Sequence, residues 1–313
     1  MAAIRAGAVI LVATALCGCI VTRPPSQAVA DLAGGAGGLS VYAVGDIADC
    51  QHAQPEATPA FATARLVPHG STVLALGDIA YPRTDASTLA SCFIPTWGPH
   101  LAHMLAVPGN HDYVAGHAAE FTRYFGLVSD DPHFVAYTRA LAPGWLLVAL
   151  DSNVQGEALQ QEYAWLQGAL AAIDTPSGAT TGPCIVAMWH APVYSSGMHR
   201  GSGEHMRPFW RLLDQRGADL VLNGHEHFYE AFEPMDSHGR RRSDGAGMRE
   251  FTVGTGGARL YGFWRPPFAS RARVLDHGVL ELTLAPGSYA WQFVDVAGRV
   301  RDAGSARCRS SAK

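Results

Sequence analysis

The chain has 313 residues, 27 acidic against 23 basic side chains, a formal net charge of −4 and a hydrophobic fraction of 48%. A mildly acidic chain lacks the basic face that nucleic-acid binding requires, and this much apolar residue, with 34 Gly and 19 Pro spread along it, excludes disordered and collagen-like classes. One large globular domain or two small ones remain, together with fourteen histidines that ask for an explanation.

In chain order, residues 1–18 read as a secretory signal. Arg5 gives a short positive segment and residues 6–16 an apolar run of 11, where a spanning helix needs roughly 20. The run ends in Leu16-Cys17-Gly18-Cys19, which resembles a bacterial lipobox, so a lipid anchor at Cys19 is expected. An ordinary cleaved signal is the alternative. Residues 19–39, rich in Pro, Ala and Gly, read as a flexible tether, 40–308 as the folded domain and 309–313 as a tail. Export places Cys50, Cys92, Cys184 and Cys308 in an oxidising compartment, where an even set reads as disulfides. Of three possible pairings we expect Cys50 with Cys92 and Cys184 with Cys308.

Six short apolar runs follow, each ending abruptly in a polar residue: 41–44 before Gly45-Asp46, 72–76 before Gly77-Asp78, and 104–107 before Pro108-Gly109-Asn110-His111-Asp112. The others are 145–150 before Asp151, 185–189 before His190, and 220–222 before Asn223-Gly224-His225-Glu226-His227. Such runs read as strands buried on both faces. Leu159, Tyr163, Leu166, Leu170 and Ile173 form one helical stripe, and Phe209, Leu212 and Leu213 a shorter helix stopped by Gly217. Alternating strands and helices predict an α/β domain with ligands collected beyond the carboxyl ends of the strands. Beyond residue 250 strand follows strand (251–253, 279–284, 289–294), expected on the far side of a second sheet.

A lone Gly-Asp after a strand is usually a turn, and a His-x-His pair is as often incidental as a ligand pair. Six strand ends offering carboxylates, an amide and imidazoles are harder to dismiss, and together they suit two metal ions held close to each other. These blocks resemble, in order, those of the calcineurin-like metallophosphoesterases: Gly45-Asp46, Gly77-Asp78-Ile79-Ala80-Tyr81, Gly109-Asn110-His111-Asp112, Trp189-His190 and Gly224-His225-Glu226-His227. The second block is similar to the purple acid phosphatase branch.

The resemblance implies a four-layer α/β/β/α sandwich of two mixed sheets and hydrolysis of a small phosphate ester. Asp46, Asp78, Tyr81 and His227 would bind one metal, Asp78, Asn110, His190 and His225 the other. The first block carries Ile47 and Ala48 where many members of the superfamily have a ligand histidine, a loss that Tyr81 can repair; its phenolate favours Fe(III) beside a divalent Fe, Zn or Mn. Two cations lower the pKa of a shared water and neutralise the phosphoryl oxygens. His111 is placed to protonate the leaving oxygen or steady the transition state, and His199 to touch the phosphate or leaving group. Asp112 reads either as the orienter of a neighbouring histidine or as a turn carboxylate, Asp151 as support, and Arg200 and His205 as solvated. Gly254-Thr255-Gly256-Gly257 reads as a tight turn near the site. Phosphate monoesters are the favoured substrates, phosphodiesters the alternative, and a binding lipoprotein without catalysis a third reading. No nucleic-acid partner is expected, and no membrane contact except through Cys19.

Overall fold

The computed structural model describes residues 38–114, 116–126, 133–173, 182–199, 202–266 and 268–309. The expected signal, Cys19 and nearly all of the tether lie outside the described residues, as does Arg200.

Two mixed sheets face one another. In the first, β1 (Leu39–Val44), β3 (Thr72–Ala75) and β5 (Met104–Ala106) are parallel, and β13 (Gly278–Ala285), β14 (Ser288–Asp295) and β15 (Val300–Arg307) extend it antiparallel in the order β15-β14-β13-β1-β3-β5. The second comprises β6 (Tyr137–Ala142), β7 (Trp145–Ala149), β8 (Cys184–Met188), β9 (Leu220–Asn223), β10 (Tyr229–Phe232), β11 (Arg249–Val253) and β12 (Ser270–Val274), ordered β12-β10-β11-β9-β8-β7-β6. A two-stranded ladder pairs β2 (Ala48–Asp49) with β4 (Ala80–Tyr81). The central strands are buried along their length because their side chains are apolar on both faces: all five residues of β8 and all four of β9 are buried.

One apolar core lies between the sheets and includes Val41, Leu74, Val186, Leu222, Phe251, Leu282 and Phe293. A second lies between the second sheet and the helices α3 (Gly156–Ala172) and α4 (Arg207–Gln215), with Leu166, Leu170, Phe209, Trp210 and Leu213 facing inward. Gly217 ends α4 with φ of 76°, as the sequence predicts. Over the first sheet lie α1 (Pro59–Ala64), capped by Thr58 Oγ1 accepting the Phe61 amide at 3.3 Å, a run of short helical turns between 86 and 103, and α2 (Ala119–Phe125) beside β5. This is the expected four-layer α/β/β/α sandwich.

The late strands differ from expectation. Of the three expected late strands only 251–253, in β11, joins the second sheet; residues 279–284 and 289–294, in β13 and β14, complete the first sheet beside β1. Both expected disulfides are present, Cys50–Cys92 and Cys184–Cys308, closing loops of 42 and 124 residues with Cα atoms 5.7 Å apart. Among the described residues no helix is long and apolar enough to cross a membrane.

Candidate metal centre

The parallel registers place the strand ends level: Val44 lies opposite Ala75, Ala75 opposite Ala106, and Met188 opposite Leu222. Each chain then turns sharply. Three non-glycine residues with positive φ occur among the described residues, and all are candidate ligands: Asp46 at 58°, Asp78 at 52° and His225 at 70°. Left-handed backbone is costly for such residues, and it clusters where side chains must be aimed. Here it is held by Asp46 N donating to Gly77 O (3.0 Å), Ile47 N to Asp78 O (2.9 Å) and His225 N to Asp46 Oδ2 (2.8 Å).

Two neighbouring groups of donor atoms result. In the first, Tyr81 Oη lies 2.9 Å from both Asp46 Oδ1 and Asp78 Oδ2, while His227 Nε2 is 3.2 Å from Tyr81 Oη and 3.2 Å from Asp46 Oδ1. In the second, His190 Nε2 is 3.4 Å from Asp78 Oδ2 and 3.2 Å from His225 Nδ1. Ligand atoms of Asp46, Asp78 and His190 all fall within 4.8 Å of one another. His190 Nδ1 donates to Leu76 O (2.7 Å) and His227 Nδ1 to Arg259 O (2.8 Å), so both rings turn Nε2 toward the carboxylates. Asn110 stands at the exposed head of the adjoining turn Asn110–Asp112.

The electrostatics ask for positive charge. Asp46 and Asp78 are fully buried, yet their carboxyls sit below the usual range, because His227 beside Asp46 and His190 beside Asp78 outweigh the effect of burial. His190 is pushed up to about 10: burial opposes its charge, and Asp78 overcomes burial. A proton on His190 thus supplies part of the charge that cations supply when they displace it. Two buried carboxylates, a phenol and imidazoles whose Nε2 atoms become free for a cation once any proton leaves fit a pair of metal ions.

Asp112 turns out to be a turn carboxylate and orients no histidine. Its Oδ2 accepts the amides of Gly109 (2.7 Å) and Asp78 (2.8 Å), and its Oδ1 the Ile79 amide (3.0 Å) and the Thr84 hydroxyl, so it binds the second and third blocks together. Glycine is obligatory at this junction, since a Cβ on Gly109 would overlap Asp78. Gly254 and Gly256 likewise pack directly on Asp46, Glu226 and Gly45, which is the close turn the sequence suggests. Asp151 supports the site from beneath, holding Tyr113 Oη (2.7 Å) and Asn153, whose Nδ2 reaches Pro108 O at 2.8 Å. His205 is anchored rather than solvated: its Nε2 meets Ser152 O at 2.8 Å.

His111 lies at the rim, with Nδ1 donating to Pro82 O (2.6 Å), its amide donating to Asp78 Oδ1 (2.8 Å) and its ring 4.5 Å from that of Tyr81. His199 packs against His225 with ring centroids 5.0 Å apart. Sequence reasoning missed Glu226 and Tyr261. Glu226 is fully buried between two candidate ligands, and burial pushes its carboxyl up to about 7. Tyr261 stacks on His227 at 4.6 Å and donates to His225 O at 2.8 Å. A glutamate inside a His-x-His block is the one signal the sequence offers for the first; the second stands in a loop without periodicity.

Residues 39–229 match the family model described as calcineurin-like phosphoesterase. Purple acid phosphatase 22 of Arabidopsis thaliana is 34% identical over 125 residues, which is 38% of this chain and 27% of that protein. This chain thus spans about a quarter of that relative's length. Among solved structures, a purple acid phosphatase from yellow lupin seeds, Lupinus luteus, superposes with a TM-score of 0.66 at 16% identity, covering 86% of this chain and 54% of that one. GAP50, the anchor in the inner membrane complex of Plasmodium, superposes with a TM-score of 0.68 at 16% identity, covering 88% and 90%. Both likenesses are of fold.

Proposed function

The chain belongs to the calcineurin-like phosphoesterase family, and on that premise we propose that it is an exported hydrolase of phosphate monoesters working with two metal ions. The observation that carries the proposal is the convergence, from the ends of two sheets, of buried carboxylates, a phenol and imidazoles whose Nε2 atoms face the carboxylates. Asp46, Tyr81 and His227 would hold one ion, Asn110, His190 and His225 the other, and Asp78 would touch both. A pair of cations there supplies Lewis acidity and an activated water at neutral pH. The phenolate of Tyr81 favours Fe(III) at the first position, beside a divalent Fe, Zn or Mn at the second.

The chain's own groups supply the rest. His111 keeps Nδ1–H on Pro82 O, which leaves Nε2 for the ester; in the imidazolium form Nε2–H would donate a proton to the leaving oxygen or a hydrogen bond to the phosphoryl group. His199 faces the same space from the opposite wall, beside His225. Asp112 keeps the two metal-bearing turns at a fixed separation. Two disulfides suit an oxidising compartment, and a lipid at Cys19 would hold the domain at a membrane surface. A binding role without catalysis is disfavoured because all seven candidate ligand positions carry competent donors.

The test uses chain lacking residues 1–18, analysed for metal and assayed on nitrophenyl mono- and diesters. About two metals per chain and loss of activity in Asp78→Ala or His190→Ala support the proposal. Protein that stays metal-free and inactive after supplementation with iron, zinc and manganese refutes it. Faster turnover of diesters than monoesters reverses the substrate assignment.

A further inference from the structure

We infer that Glu226, together with Tyr261, is a positioning residue that holds the His199 imidazole in one orientation and one tautomer beside the metal centre. The inference rests on the proposed phosphoesterase reading, in which His199 touches substrate.

Glu226 is fully buried, and its Oε1 accepts the backbone amide of His199 at 2.9 Å. Its Oε2 is sealed from solvent without a hydrogen-bond partner and lies 3.6 Å from His199 Nδ1. The loop rests directly on this carboxylate: a Cβ added at Gly197 would overlap it, so only glycine permits the approach. Buried carboxylates are seldom left half-satisfied without a role.

Tyr261 completes the arrangement. Its hydroxyl has one proton, which is donated to the carbonyl of His225 at 2.8 Å. The oxygen can therefore only accept from His199 Nδ1, 2.8 Å away. Nδ1 thus donates to the Tyr261 oxygen, with Glu226 Oε2 3.6 Å away on its other side, and Nε2 is the nitrogen left for the phosphate ester. A third group fixing the ring of an acid–base histidine is a recurrent requirement of such chemistry. Glu230 separately anchors the loop by accepting the Ser196 amide at 2.9 Å and the Ser196 hydroxyl. Glu226→Gln keeps an oxygen that can accept the His199 amide, and Glu230 still holds Ser196, so the loop stays anchored while the charge facing the His199 ring is lost.

Glu226→Gln puts amide hydrogens near Nδ1 and favours the opposite tautomer, Tyr261→Phe removes one acceptor, and Gly197→Ala lifts the loop. Metal content, kcat and KM on nitrophenyl and alkyl phosphates, and 15N NMR of histidine-labelled, metal-free protein are measured, with His199→Ala assigning the resonance. Expected are unchanged metal content, kcat lower by about tenfold or more on alkyl phosphates, KM within about threefold, and a wild-type His199 with Nδ1–H that becomes mixed or reversed in Glu226→Gln. If His199→Ala is impaired while Glu226→Gln keeps both the wild-type kcat and the wild-type tautomer, the positioning role is overturned. If wild-type protein is inactive, or His199→Ala equals it, the phosphoesterase reading or the role of His199 falls instead. The NMR result then decides the positioning alone: Nδ1–H supports it and Nε2–H overturns it.

Discussion

Replacing Gly109 with alanine adds one methyl group at the tightest point of the candidate centre. Gly109 has an ordinary extended backbone (φ −100°, ψ −177°), so the obstacle is steric. The new Cβ would fall on Asp78 Oδ1 and the Asp78 amide nitrogen, well inside the 3.0 Å that real Cβ atoms keep. Asp78 cannot swing clear, because Oδ1 accepts the His111 amide at 2.8 Å and its own amide is held by Asp112 at 2.8 Å. The two turns must separate by about 1 Å, costing about 1–3 kcal/mol of stability. Metal affinity should fall roughly 10–100-fold, and a misplacement of this size can cost about 100-fold in rate. Gly168→Ala is the matched control: the glycine sits in α3 with nothing within 4 Å of the added atom, so it should stabilise by about 0.5–1 kcal/mol. Urea denaturation of chelated protein, metal analysis and activity at saturating metal read all three effects. A Gly109→Ala protein that loads metal, turns over and unfolds like Gly168→Ala would refute the reasoning.

Tyr81→Phe should abolish a visible charge-transfer band while the fold persists, since Tyr81 Oη is the phenol of the site; a colourless but active wild-type enzyme rules out Fe(III). Chelated protein should be more stable at pH 6.5 than at pH 8.5 by roughly 2–4 kcal/mol. Burial, joined at Asp112 by Asp78, pushes Asp112 and Glu226 up to about 7, so each disfavours the fold when ionised and recovers as pH falls through 7. His190 has the same sign, its contribution being lost as pH rises toward 10, while His225, held down to about 3 by burial and His190, stays neutral in the fold and opposes the trend only where its unfolded form protonates, near and below 6.5. A flat or inverted denaturation profile over that window contradicts the assignment. Removing Cys184–Cys308 should cost about 5 kcal/mol and Cys50–Cys92 about 4, because the first closes the longer loop; a reversed order in urea titrations of the serine variants would show that strain or residual structure, rather than chain entropy, governs.

The strand ends were legible because each apolar run stops abruptly at a turn, and the resemblance of the blocks that follow supplied the candidate ligands, Tyr81 and Asn110 among them. The stripe from Leu159 to Ile173 and the stop at Gly217 were legible from local periodicity and a left-handed glycine. What the sequence withheld depends on pairing at long range. Nothing local distinguishes β11, which pairs with β9, from β13, which crosses over to β1. Asp112 shows its function only when Asp78 and Gly109 are brought to it, and Tyr261 only when folding lays it on His227. The positive φ of Asp46, Asp78 and His225 could not be read either, since Asp and His carry no mark of the strain that tertiary contacts impose on them.

The candidate donors divide by element in the fold: of the oxygen donors, Asp46, Asp78 and Asn110 follow strands of the first sheet and Tyr81 lies in the ladder strand β4, while every imidazole, His190, His225 and His227, follows a strand of the second. Neither sheet alone owns a complete set. Cations there would act as rivets across a seam, so their arrival must follow the docking of the two halves. Once in place they would oppose any motion that slides one sheet past the other. Metal occupancy would then gauge assembly as well as reactivity, and a chain of this kind would be finished only where ions await it.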